Sequence, residues 1–118
     1  MLDKLYLDNL LIGEIQYLDH DFPTFNGQFN LILKPTDPDS KQIIDYIDFS
    51  CRQTSFYMNE NEDDEEDLEE KLLAEELKYE NLINSENWKI IESDGQLTKI
   101  LIPTFDKENG INWRLNTN

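Results

Sequence analysis

The sequence predicts an α+β fold in which about six antiparallel strands form one sheet and two helices pack on one face of it. Apolar and polar residues alternate with the two-residue period of strands in the first third of the chain and again in the last third. Between these regions, apolar residues recur at the three- and four-residue spacing of helices. The predicted order is β-β-β-α-α-β-β-β in a single domain over 1–118, because three consecutive strands on either side of a helix pair favour an antiparallel sheet.

The chain is expected to begin with a β-hairpin. A first strand is centred on residues 5–7, and Asp8-Asn9 has the composition of a tight turn. The second strand follows at once. Strict alternation along it places Ile12 on the same face as Glu14 and Gln16, and we expect solvent on that face, at least at the end that carries the two polar residues.

The second strand is expected to end at residues 19–23, where two aspartates and a proline interrupt the alternation. Asn26-Gly27 is a further turn signal. A third strand is then predicted over residues 28–33, ending before Pro35.

The first helix is predicted over residues 38–57. Asp37 can cap a helix, and Pro38 suits its first position. Ile43 and Ile47 follow on one helical face, which we expect to be buried.

The second helix is predicted from Asp63 to Ile83. Its apolar stripe, which should face the core, contains Leu68, Leu72, Tyr79, Leu82 and Ile83. Leu73 and Leu77 fall nearly opposite that stripe. Either the stripe is wide or these two leucines contact something else.

Three strands complete the prediction. The first covers residues 88–93 and turns at Asp94-Gly95, a strong hairpin signal. The next runs from Leu97 to Ile102, and the last alternates through residues 111–115.

Composition limits the classes of function. The formal net charge of −16 disfavours binding to nucleic acid and to anionic membranes, and it favours a cationic protein face or metal ions as partners. Acidity can also serve solubility alone. Cys51 is the single cysteine, and we find no secretory signal and no apolar run of membrane-spanning length, so we expect a cytoplasmic protein, monomeric or homodimeric. Its abundant Asn, Ile and Lys suit an AT-rich bacterial genome.

The charge is concentrated at 60–70, a run with nine acidic residues and no basic one. The segment 59–67 is a flexible loop tip, the start of the second helix, or both. Acids there favour the helix dipole but also repel one another. Together with the two off-stripe leucines, this run is the predicted partner-binding surface. Its residues are Glu62, Asp63, Asp64, Glu65, Glu66, Asp67, Glu69, Glu70, Leu73 and Leu77.

Sites for chemistry are weakly supported. Asp19, His20 and Asp21 could bind a metal or supply a general base, but turn composition also explains the aspartates. Zinc sites usually recruit further His or Cys ligands. Cys51 lies in a predicted helix interior, without the helix N-terminus or cation that activates a thiol. The acidic run lacks the glycine and ligand alternation of an EF-hand loop. We therefore predict no catalytic residue, no metal ligand and no cofactor.

We expect a small non-enzymatic binding protein, of the immunity or inhibitor type, that recognises a basic partner. Two alternatives remain open. One is a metal-dependent or hydrolytic enzyme that uses the Asp19-His20-Asp21 segment. The other is a homo-oligomeric scaffold formed through a bare sheet edge or face.

Overall fold

The computed structural model describes residues 2–21, 23–58 and 65–116 and confirms the α+β class. One antiparallel sheet has seven strands, against about six expected. The strands are β1 (Asp3–Leu7), β2 (Leu10–Asp21), β3 (Thr24–Leu31), β4 (Trp88–Ile91), β5 (Leu97–Lys99), β6 (Thr104–Phe105) and β7 (Gly110–Arg114). The helices are α1 (Pro38–Met58), α2 (Glu65–Glu76) and α3 (Glu80–Ile83), with a 3₁₀ turn at Leu77–Tyr79.

The strands lie in the order β5-β4-β1-β2-β3-β7-β6. The segment from β5 to β6 connects the two edges of this sheet. At its start it pairs with β4, and at its end it pairs with β7. Midway, Ile100 bridges to Leu115, and the Leu101 N–H donates to the Arg114 carbonyl. The sheet is therefore strongly curved, and its edges meet along one segment.

Two β-bulges change the face assignments in β2. The pairing with β1 slips next to Ile12, so that both Ile12 and Ile15 are buried in the core. The prediction that Ile12 shares a face with Glu14 was therefore wrong. Strict alternation cannot anticipate an extra residue in a strand.

The predicted turns at 19–23 and 26–27 were only partly correct. β2 continues through Asp21, and Asp19 and His20 pair with Asn26 and Phe25 of β3. Asn26-Gly27 lies inside β3 and forms no turn. Gly27 is needed there because a Cβ would come within 2.5 Å of the Gln16 carbonyl oxygen.

Local capping explains where α1 begins. The Asp37 carboxylate accepts hydrogen bonds from the Ser40 N–H at 2.8 Å and from the Ser40 hydroxyl at 3.1 Å. The backbone hydrogen bond from Ser40 is the larger cause of a lowered pKa at Asp37. The predicted second helix is interrupted at Leu77–Tyr79, where the α-helix tightens to a 3₁₀ turn before α3. The part of this prediction at residues 63 and 64 lies outside the described residues.

The core lies between the helices and one sheet face. Ile43, Tyr46 and Phe49 of α1 are buried together with Leu72, Tyr79 and Leu82 of the second helical region. The strands contribute Leu5, Leu7, Ile12, Ile15, Trp88, Ile90, Ile100, Phe105, Ile111 and Trp113. Among the described helices, none is long and apolar enough to cross a membrane.

Candidate protein-binding surface

The helix α2 has two faces with different environments. Leu72 is buried in the core, as its predicted stripe requires. On the other side, Leu73 is 47% exposed and Leu77 is 71% exposed. The two leucines that fell off the predicted stripe are thus at the surface. Leu77 retains most of its unfolded-state exposure in the described part of the chain.

Exposed carboxylates lie beside these leucines. Glu69 and Glu70 precede Leu73 and are both exposed. Glu69 and Leu73 are four residues apart in α2, a spacing that places their side chains in one row about 6 Å apart, and Leu77 follows four residues later as the first residue of the 3₁₀ turn. We call Glu69, Glu70, Leu73 and Leu77 the α2 surface.

The remaining predicted partner-binding residues precede the α2 surface in the sequence. Glu65, Glu66 and Asp67 belong to the first turn of α2. Glu62, Asp63 and Asp64 lie outside the described residues. What the structure brings together is therefore the C-terminal part of the predicted set.

An ion pair holds α2 against α1. The Arg52 guanidinium donates to both carboxylate oxygens of Glu75, with an Nη1···Oε1 distance of 2.8 Å, and it also pairs with Asp48 at 3.0 Å. The hydrogen bond to Arg52 lowers the pKa of Glu75, and the same bond raises the pKa of Arg52. This bidentate contact fixes the rotation of α2, so the α2 surface stays turned outward.

A second contact supports the helical region further along. The Gln42 side-chain amide donates to the Asn81 side-chain oxygen at 3.0 Å and to the Lys78 carbonyl at 3.2 Å. Sequence reasoning missed both supports, because the partners are 23 and 39 residues apart and no local pattern links them.

The Asp19-His20-Asp21 segment has a different geometry from the expected loop. The His20 backbone N–H donates to the Asp19 carboxylate at 2.7 Å. The His20 imidazole Nδ1 instead lies 2.6 Å from the Tyr17 hydroxyl. The Asp19 carboxylate and the His20 imidazole therefore do not bond to each other, because one is bound to a backbone N–H and the other lies against Tyr17. No group of three His, Cys, Asp or Glu side chains suited to a metal occurs in the described ranges.

Cys51 faces the loop after β6. Its Sγ donates to the Asp106 carbonyl at 3.3 Å, and burial raises the pKa of the thiol. A raised pKa disfavours the thiolate, which is the nucleophilic form. The side chain is partly buried and packs against the core cluster, as suits a cysteine that acts as a small apolar residue.

Comparisons with known protein families, with curated proteins and with solved structures found no match for this chain.

Proposed function

We propose that this protein is a small binding domain of the immunity or inhibitor type, and that its α2 surface holds a basic protein partner. The observation that carries the proposal is the exposure of Leu73 and Leu77 beside Glu69 and Glu70, on a helix whose opposite face is in the core. Apolar side chains next to carboxylates match a partner surface in which lysines or arginines surround an apolar contact.

Charge and apolar contact serve different steps of binding. The net charge of −16 attracts a basic protein over several ångströms and speeds the encounter. The exposed carboxylates add little to final affinity, because each solvated ion pair contributes about 0.2 to 1 kcal/mol. Burying the exposed parts of Leu73 and Leu77 would contribute roughly 2 kcal/mol together.

The scaffold keeps this surface in place before binding. Leu72, Tyr79 and Leu82 anchor the helical region in the core, and the Arg52–Glu75 contact fixes its rotation. A partner therefore binds a helix that is already formed. Ordering the described part of this helix costs little binding free energy.

The test begins with capture. The protein is immobilised and exposed to an extract of the cells that produce it, bound proteins are identified, and the affinity for the purified partner is measured by calorimetry. We expect a basic partner. The double variant Leu73→Ser/Leu77→Ser should weaken its binding by about 10- to 30-fold, as roughly 2 kcal/mol implies.

Charge variants separate the electrostatic contribution. Glu69→Lys/Glu70→Lys should slow association and reduce its dependence on salt. Glu86→Lys/Glu108→Lys changes the net charge equally at exposed positions outside α2 and is the matched control. Equal affinity for the serine variant and the unmodified protein would contradict the proposal.

A further inference from the structure

The sheet face that points away from the helices carries a group of basic residues. In β5 and the residues after it, Thr98 and Ile100 face inward, so Leu97, Lys99 and Leu101 face outward. Lys99 lies directly opposite Lys89 of β4, which lies opposite Tyr6 of β1. These positions form a continuous row across three strands.

Two further bases extend this row diagonally. Lys4 is two residues before Tyr6 on β1 and pairs with Ile91. Arg114 of β7 lies beside Leu101, whose N–H donates to its carbonyl. We call this group the basic patch. Its members are Lys4, Leu97, Lys99, Leu101 and Arg114, which are exposed, and Lys89, which is half-buried.

The composition of the basic patch is opposite to that of the whole molecule. The chain has 26 acidic residues and 10 basic ones, and four of those ten are here. Acids beside the patch include Glu14, opposite Lys4, Glu86, which lines a shallow cleft with Lys89 and Lys99, and Glu92, which lines another with Lys4. The ion pairs found within the described residues all involve Arg52. The four bases of the patch therefore form no ion pair with these neighbouring acids.

Placing Lys89 directly across from Lys99 is unfavourable within one chain. Like charges opposite each other on neighbouring strands destabilise a sheet. A chain so rich in carboxylates could easily have supplied one at either position. An anionic surface from another molecule that covered both lysines would relieve this repulsion.

The α2 surface and the basic patch carry opposite charge and have rows of similar spacing. Leu97, Lys99 and Leu101 repeat every two residues of a strand, about 6.6 Å apart. The row on α2 repeats every four residues of a helix, about 6 Å apart. Both rows carry charge next to two exposed leucines. Leu97 is 49% exposed and Leu101 is 44% exposed, similar to Leu73.

We infer that the α2 surface of one copy of this chain binds the basic patch of a second copy. The inference rests on the proposed function in one respect, that the α2 surface recognises a basic protein face, and it identifies such a face on the protein itself. The α2 surface and the basic patch lie on opposite sides of the sheet. The contact is therefore head-to-tail, and a foreign basic partner would compete with it for α2.

Sedimentation of the full chain between about 10 µM and 1 mM tests this directly. We expect reversible association with a dissociation constant on the order of 0.1 mM. Lys89→Glu/Lys99→Glu should weaken it at least 10-fold. The control, Lys34→Glu/Lys107→Glu, changes the net charge equally at exposed positions outside the patch and should weaken it far less.

Charge exchange provides the decisive comparison. Glu69→Lys/Glu70→Lys should also abolish self-association, whereas mixing it with Lys89→Glu/Lys99→Glu should restore a complex with equal amounts of each. A strict monomer at 1 mM, or equal weakening by the patch variant and its control, would overturn the inference. So would capture of a foreign acidic protein through the patch without self-association.

Failure here is distinguishable from failure of the proposed function. Lys89→Glu/Lys99→Glu leaves α2 intact. If this variant still captures a foreign basic partner through Leu73 and Leu77 and the protein does not self-associate, the proposed function is retained and only the inference fails. Loss of both activities would remove both conclusions.

Discussion

Individual side chains connect the helices to the sheet through buried hydrogen bonds. The Tyr46 hydroxyl donates to the Pro103 carbonyl at 2.8 Å, and the Trp88 indole donates to the Leu82 carbonyl at 2.9 Å. The Ser50 hydroxyl accepts from the Phe105 N–H at 2.8 Å. Burial raises the pKa of Tyr46 to about 12, so its hydroxyl remains a donor across the physiological range. In the part of the chain that the structure describes, no buried side-chain nitrogen or oxygen lacks a partner.

Ser50→Ala should be strongly destabilising for so small a change. It leaves the Phe105 N–H buried without an acceptor, which costs about 1 to 3 kcal/mol. Urea unfolding followed by tryptophan fluorescence would measure it. Ser93→Ala, at an exposed position, should shift the midpoint little. Similar midpoints for both variants would show that Ser50 is not satisfying that backbone group.

At the scale of elements, an ion-pair group centred on Arg52 links two otherwise acidic helices. Arg52 is paired with Asp48 of its own helix and with Glu75 of α2. The contact is partly exposed, so its contribution is about 0.5 to 1 kcal/mol. Its pH dependence follows from the lowered pKa of Glu75.

The contribution of Glu75 should disappear in acid. A carboxylate whose pKa is lower in the folded state stabilises the protein at pH values above its ordinary pKa, 4.5. That stabilisation is lost as the pH falls through the pKa of the folded state. The Tm of the unmodified protein should therefore exceed that of Glu75→Gln at pH 7, and the difference should shrink below about pH 4. A difference that does not shrink as the pH falls below 4.5 would contradict this assignment.

At the scale of the whole molecule, charge is unevenly divided. Acidic residues dominate α2 and the segment before it, whereas the outward sheet face carries four of the ten basic residues. The net charge of −16 opposes the compact state because like charges repel one another. Dissolved salt screens this repulsion, since it acts over long distances.

Added salt should therefore stabilise the protein. Raising sodium chloride from about 10 to 300 mM shortens the screening length from about 30 Å to below 8 Å, so Tm at pH 7 should rise by several degrees. The control is the same titration near pH 4.1, the isoelectric point, where the net repulsion is gone. An equal rise at both pH values would indicate a general salt effect instead.

The sequence by itself determined the type and order of nearly all elements, because strand alternation, helical spacing and the turn at Asp94-Gly95 are local properties. It also identified Leu73 and Leu77 as residues off the core stripe, since helical periodicity alone separates the two faces of α2.

Only the tertiary structure decided the rest. The bulge next to Ile12, the pairing of Lys89 with Lys99 and the contact between Arg52 and Glu75 each depend on register or packing between distant segments. The register of a strand pair is selected by burial of a whole sheet face and by competing backbone hydrogen bonds. A short window of sequence contains neither kind of information. The basic patch was invisible in the sequence for that reason, because its members come together only when four separate strands align.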